Sequence, residues 1–331
     1  MNPFILSILI FFLINSEPWL NNVNNKKKLV FLVVSVLENT DYNNKLNDIM
    51  VKFYKRKLYQ IELEKQFKDI VDSLNNHDLF SESMEEIMQI VAKQFLGSTY
   101  KAGLLETFRK EKLFISFKEF DCVLFVETVL AIARNITLND RGYRTFTKHL
   151  QEQRYINGFI NGYCSRLHYF SDWINDNQKR ENVKNITADL GGIQFDKKLY
   201  FMSRNRNLYP ELATNENNYK CIVERENKIN KTVLKYIPND KVKQIYSKLK
   251  SGDIISIATN IDGLDVTHTG LVYQTVEGNI GFIHASPAGE VTIARDLQNY
   301  VINVKNSVGI IVARPVDIRL KTRKIDNKQP T

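Results

Sequence analysis

Phe120-Asp-Cys-Val-Leu-Phe-Val-Glu-Thr-Val-Leu-Ala-Ile-Ala-Arg134 is the stretch on which the fold turns. From Cys122 to Arg134 it is apolar on nearly every side, the composition of a helix enclosed in the middle of a domain. Upstream, Ser83-Met-Glu-Glu86 has the form of a capping box and starts another helix. Met84, Ile87, Ile90, Val91 and Phe95 fall on one face of it, and Gly97 ends it. Earlier still, residues 41–79 are rich in Lys and Asn and helical in period, with Leu63, Phe67, Ile70, Val71 and Leu74 on one face. After Gly252 the texture changes. Runs at 253–259, 266–275, 279–286, 291–294 and 308–314 read as strands, with turns at Glu277-Gly278-Asn279 and Pro287-Ala288-Gly289. Residues 135–250 are rich in Asn, Tyr and Arg and show few clear periods. Helices first and an antiparallel meander afterwards predict an α+β domain, helices packed on one sheet.

The chain has 331 residues, 43% of them hydrophobic and 25% charged, which fits globular folding and excludes long-range disorder. Lys and Arg number 46 against 37 Asp and Glu, a net charge of +9 that favours anionic partners. Part of that excess is the run Lys26-Lys27-Lys28 and a basic tail from Arg319 to Lys328. No nucleic-acid-binding module accompanies it, so nucleic acid is not expected as a partner. Phe4 to Ile14 is an apolar run of secretory length, too short to span a bilayer. Leu29 to Leu37, behind the three lysines, is a second such segment or else a buried strand. The organisation expected is a signal peptide or membrane-targeting segment at 1–40, a helical extension at 41–80, the main domain at 81–316 and a basic tail at 317–331. Export to the periplasm or cell envelope follows, with transient membrane association through the N-terminus.

Three cysteines, Cys122, Cys164 and Cys221, have no metal-ligand spacing, and an odd number leaves at least one free thiol. No metal or cofactor is expected. Cys164 and Cys221 read as packing residues. Cys122 opens the buried helix, where unpaired N–H groups and the helix dipole lower a thiol pKa. Of the five histidines, His77 and His149 sit in polar helical surroundings and read as surface residues. His268 and His284 lie on consecutive predicted strands and can present both rings on one face. A Cys at a helix start facing two His fits a nucleophile, a base and an orienting group, with helix N–H groups as oxyanion donors.

Phe95-Leu-Gly-Ser-Thr-Tyr-Lys-Ala-Gly-Leu-Leu-Glu106, Phe120-Asp-Cys-Val-Leu-Phe-Val-Glu127, Ser165-Arg-Leu-His-Tyr-Phe-Ser-Asp-Trp-Ile174, Gly263-Leu-Asp-Val-Thr-His-Thr-Gly270 and His284-Ala-Ser286 follow one another in a recognisable order. Together they resemble the N-acetylmuramoyl-L-alanine amidase-like family, a branch of the NlpC-type papain-like cysteine hydrolases, over residues 82–314. The resemblance implies a papain-like fold and a bacterial cell-wall hydrolase acting on peptidoglycan fragments. It implies Cys122 as nucleophile, His268 as base, His284 as third member, and Tyr100 and Asp121 in support of the oxyanion site. Val123 departs from the small hydroxyl residue that relatives carry after the Cys. Glu106, Ser165, Arg166, His168, Tyr169, Asp172, Trp173 and Asp265 are the substrate-binding residues it implies, with Arg166 clamping a carboxylate of the muropeptide stem. The alternative for this cluster is an aromatic core in which Arg166 pairs with Asp172 or another acid. Two other functions fit the same residues: a γ-D-glutamyl-diamino acid endopeptidase, and a muropeptide-binding module without catalysis.

Overall fold

The computed structural model describes residues 23–38, 45–74, 79–108 and 110–319, in two compact units divided after Ser73. The apolar run at 4–14, His77 and all but the start of the basic tail lie outside the described residues.

The first unit is a helix pair, α1 (Val23–Glu38) and α2 (Lys45–Ser73). The strand alternative for Leu29 to Leu37 is thereby corrected. Val30, Val33 and Val34 recur at helical spacing and pack with Tyr54 and Ile61, while Phe31 and Leu32 between them are exposed. Among the described residues no helix is long and apolar enough to cross a membrane.

The second unit begins with α3 (Met84–Lys93). Its capping box forms as read: Ser83 Oγ accepts the Glu86 N–H at 3.2 Å, and Glu86 Oε2 accepts the Ser83 N–H at 3.2 Å. Its inward face is Met84, Ile87, Met88, Val91 and Ala92, with Ile90 only half-buried. Strands β1 (Thr99–Tyr100) and β2 (Glu119–Phe120) pair in parallel and lead into α4 (Cys122–Thr137). Every residue of α4 from Leu124 to Asn135 is buried, as its uniform apolarity requires. Helix α3 and then α5 (Tyr143–Arg154) pack on it, and α4 rests on the sheet.

The middle third, irregular in sequence, is well organised. It holds α5, α6 (Phe170–Lys179), β3 (Val183–Asn185), β4 (Ile193–Phe195), α7 (Phe201–Arg204), α8 (Pro210–Thr214), α9 (Glu216–Ile229), β5 (Leu234–Pro238) and a 3₁₀ segment, Asn239–Lys248. These helices escape a periodicity reading because their inward faces are polar. Helix α5 buries His149, Gln153 and Arg154 beside Phe146 and Leu150, and α6 buries Asp172, Asp176 and Asn177 beside Trp173. His149 is thus a core residue rather than a surface one.

The expected strands follow: β6 (Ile254–Thr259), β7 (Val266–Gln274), β8 (Ile280–Ala285), β9 (Val291–Ala294) and β10 (Ser307–Pro315), with α10 (Leu297–Asn303) between the last two. The sheet has eight strands in the order β4-β5-β10-β6-β7-β8-β9, with β3 also on β10, and every pair in it is antiparallel. Ile255, Ile257, Val272, Phe282, Ile310 and Val312 share a core with Val242 and Ile245 of the 3₁₀ segment and Leu297 and Val301 of α10. Each such side chain, fully buried, stabilises the fold by roughly 1.5–3 kcal/mol. A mixed α+β architecture with an antiparallel sheet is therefore observed.

Candidate active site

The parallel pairing of β1 with β2 sets Tyr100 beside Phe120, two residues before Cys122. Asp121 is the N-cap of α4, its Oδ1 accepting the Leu124 N–H at 2.8 Å. Burial holds the Asp121 carboxyl above its usual range, against the pull of the Leu124 amide and Arg154. Cys122 is the first helical residue, half-buried, and the only free thiol.

The expected lowering of that thiol pKa is reversed. Burial first, and the Asp121 carboxylate second, push Cys122 up to about 12, while the backbone amides of Thr269 and Val123 act in the opposite direction. The helix end is present, but desolvation of the thiolate outweighs its partial charge. Contact with the Thr269 amide also puts the sulfur next to the residue that follows His268.

His268 and His284 come together as the strand pattern predicts. His268 Nε2 lies 2.8 Å from His284 Nδ1, the two rings nearly perpendicular, and both side chains are buried. Burial, and then His284, lower His268 to about 3; burial lowers His284 to about 4. Both are neutral at physiological pH. His284 stacks on Phe282, with ring centroids 4.8 Å apart, and Gly270 leaves the room this needs. A Cβ at Gly270 would stand 2.6 Å from Phe282 Cζ and 2.7 Å from His284 Cβ.

Tyr300 belongs to this site and was not singled out in the sequence. Its hydroxyl is 3.5 Å from His284 Nδ1, its ring packs on His284 and Phe282, and Cys122 is near enough to help raise its pKa, after burial. Tyr300 lies on α10, a short helix that the strand pattern does not announce. Tyr100 feels the same surroundings: burial, then Cys122 and Asp121, raise its phenol.

The residues from Glu106 to Trp173, with Asp265, are brought together differently, as an internal polar network. Arg166 is buried, donates to Glu106 at 2.7 Å and to Glu111 at 3.4 Å, and lies over the Tyr163 ring. Asp172 takes Arg225 through both carboxylate oxygens, at 2.5 and 2.8 Å, rather than Arg166. Tyr169 donates to Glu226 at 2.7 Å, and the buried Asp265 carboxylate accepts the amides of Ser171 and Val266. Trp173 donates to Glu127, which also holds Arg154 at 2.6 Å. Ser165 Oγ donates to the Gly162 carbonyl, and His168, kept neutral by burial, contacts that of Tyr163. In this network Arg166 has the paired, packed surroundings of the alternative reading, with Glu106 and Glu111 as its acids. Glu111, Glu127, Arg154, Arg225 and Glu226 were missed because their partners lie far from them in sequence.

Cys164 and Cys221 form a disulfide between the Tyr163–Ser165 turn and α9, which corrects their reading as packing residues. Sequence alone gives no pairing for cysteines 57 residues apart in unmarked contexts. Among the described residues, no group of three or more His, Cys, Asp or Glu is placed to hold a metal ion.

This fold is that of an amidase-like class of proteins. The family model for AmiA-like, N-acetylmuramoyl-L-alanine amidase-like proteins matches residues 90–310, and the chain belongs to that family. A crystal structure of an N-acetylmuramoyl-L-alanine amidase from Bacteroides uniformis is 30% identical, covering 70% of this chain and 99% of its own, with a TM-score of 0.66. A structure from Bacteroides fragilis described as a putative xylanase is 34% identical over 67% of this chain and 98% of its own, with a TM-score of 0.62. A Legionella pneumophila protein, 22% identical over 78% of this chain and 95% of its own, shares the fold with a TM-score of 0.58. Among curated proteins no relative is found.

Proposed function

We propose that the protein is a cysteine hydrolase that cuts the amide between the lactyl group of N-acetylmuramic acid and L-alanine in peptidoglycan fragments, on an NlpC-type papain-like fold. The observation that carries this is the His268–His284 pair at 2.8 Å, on strands against which the Cys122 helix packs.

With Nε2–H of His268 donated to His284 Nδ1, the other nitrogen of His268 keeps its lone pair and takes the thiol proton. Sulfur attacks the lactyl carbonyl, and the oxyanion is held by amides at the start of α4 and by the Tyr100 hydroxyl. The imidazolium of His268 protonates the departing alanine amine, leaving a thioester on Cys122. Water, deprotonated by His268, then releases the lactyl acid and restores the thiol. With the thiol raised to about 12 and the imidazole lowered to about 3, both groups rest neutral, so in this mechanism proton transfer accompanies attack rather than preceding it. The xylanase description of the B. fragilis relative would call for two carboxyl groups across a cleft. Here Asp121, the carboxylate next to Cys122, is committed to capping α4.

Export to the envelope, through a signal or membrane-targeting segment at the N-terminus, belongs to this reading. The Cys164–Cys221 bridge supports an oxidising compartment. The test is mass spectrometry of a disaccharide-tetrapeptide incubated with the protein. Release of the whole tetrapeptide and the free sugar is expected. A sugar still bearing alanyl-glutamate would replace the amidase by the endopeptidase. No product would leave the binding module.

A further inference from the structure

The far end of α4 carries a second feature. Arg134, in the last turn of α4, is 4% exposed, yet its guanidinium has no hydrogen-bond acceptor among the described residues, and Nη1 is wholly enclosed without a partner. Arg134 lines a cavity of about 370 Å³ together with Lys148, Glu152, Asn157, Phe159 and Arg180. At 1.5 Å per residue the two ends of the helix stand roughly 18 Å apart, so this cavity is separate from the Cys122 site.

The usual role of an arginine in a last turn is to cover helix-end carbonyls, and those acceptors are taken. The Arg134 and Asn135 carbonyls receive the Leu138 amide, the Ile136 carbonyl receives Asn139, and the Glu152 carbonyl receives Arg180. The other cations of the cavity are compensated: Arg180 Nε bonds Asp176 at 2.8 Å, and Lys148 faces Glu152 at 3.9 Å. Glu152 is shared with His149 at 3.6 Å. Glu152 also lies within electrostatic reach of Arg134, so three cations, Arg134, Lys148 and Arg180, face two acids, Glu152 and Asp176, and the charge the cavity lacks is a single negative one. A buried guanidinium without hydrogen-bond acceptors is costly, and a carboxylate in the cavity supplies acceptors to those of its N–H donors that face it. Phe159, 72% exposed, gives the cavity an apolar wall.

We propose that this cavity is a binding site for a small monocarboxylate carrying an apolar substituent, held by Arg134 with Lys148 at the mouth and Phe159 against the substituent.

The probes are N-acetylalanine, its uncharged amide and inorganic phosphate, titrated into the full chain while following the thermal midpoint and the arginine Nε–H resonances. N-acetylalanine should raise the midpoint in a saturable way and shift an arginine resonance, and the amide should do neither. Cys122→Ala should bind as the wild type does, which separates this site from the catalytic reading. Arg134→Leu should weaken binding at least about tenfold. Lys148→Glu should do the same by placing an opposing charge at the mouth, and its exposed position keeps the fold safe should Arg134→Leu not fold. Binding unchanged in Lys148→Glu, or an equal response to the amide, would overturn the site. Tighter binding of phosphate than of N-acetylalanine would overturn the carboxylate assignment.

Discussion

His268 Nε2 and His284 Nδ1 approach to 2.8 Å across β7 and β8, and that contact decides which nitrogen of His268 is free. One of two neutral rings must donate. Donation from His268 leaves its Nδ1 as an acceptor, as the proposed base requires, whereas donation from His284 would place the proton on that nitrogen. In the proposed mechanism His284 therefore sets the tautomer of His268.

The first prediction separates the two rings. His268→Ala should lower kcat by roughly 10³-fold or more, the scale of a lost general base. His284→Ala should cost about 10–100-fold, as losing an orienting partner does, and Tyr300→Phe less again. Single-turnover rates on a purified muropeptide measure all three. A His284→Ala protein as fast as wild type would mean that another residue holds the His268 ring.

The resting thiol gives the second. With Cys122 raised to about 12, the thiolate fraction grows tenfold per pH unit across pH 6 to 9 without a plateau. Iodoacetamide alkylation should follow that line in the free protein and disappear in Cys122→Ala. A rate that is flat above pH 6 would reveal a preformed thiolate–imidazolium pair and refute the neutral resting state.

Much of the architecture could be read from signals local in the sequence: uniform apolarity, a capping motif or alternation. The enclosed helix from Cys122, the capping box at Ser83 and the strands after Gly252 all declare themselves in this way, and the two site histidines fall on the strands so found. Helices α5 and α9 did not, because Gln153, Arg154 and Glu226 interrupt their inward faces and bond to partners distant in sequence. The direction of the Cys122 shift was misread for a related reason. The helix end is a local feature of sequence, while the burial that overrides it is produced by the fold. The Cys164–Cys221 bridge likewise exists only through the folded path between them.

Arg166 offers a third prediction. Because Glu106 and Glu111 already hold it inside the domain, removing its charge strands two carboxylates. Arg166→Met should cost on the order of 3–5 kcal/mol in denaturant unfolding, the cost of breaking a buried pair. A variant of unchanged stability and raised KM would make it a substrate clamp instead.

Acid should weaken the fold through the histidine pair. With folded values of about 3 and about 4 against an unfolded value near 6.5, the unfolded chain takes up protons that the native one refuses as pH falls below about 6.5. That stability is present above pH 6.5 and lost progressively toward pH 3 to 4. Buried carboxyls raised by the fold, such as Asp121 and Asp265, act in the opposite direction. The comparison must therefore be made between variants: His284→Gln should flatten the fall in stability between pH 6.5 and 4 relative to wild type. Parallel profiles would mean that the pair is not the origin of the acid sensitivity.

Gly270 makes the last prediction, and it concerns space rather than charge. Its backbone is ordinary strand, so alanine is not excluded by conformation. The obstacle is that the new methyl would come within 2.6 Å of Phe282 Cζ and 2.7 Å of His284 Cβ, contacts that side chains do not tolerate. Phe282 is fixed in the sheet core, so it cannot retreat freely, and the movement falls on β8 and on the imidazole it carries. Overpacking of this kind costs about 1–3 kcal/mol in stability. The larger effect should be on turnover, because displacing His284 breaks the 2.8 Å contact that orients His268. Gly270→Ala should remain folded, with a lowered thermal midpoint, and should lose at least as much kcat as His284→Ala does. A Gly270→Ala protein with wild-type kcat would show that the two rings are not held in register by the packing of this strand pair.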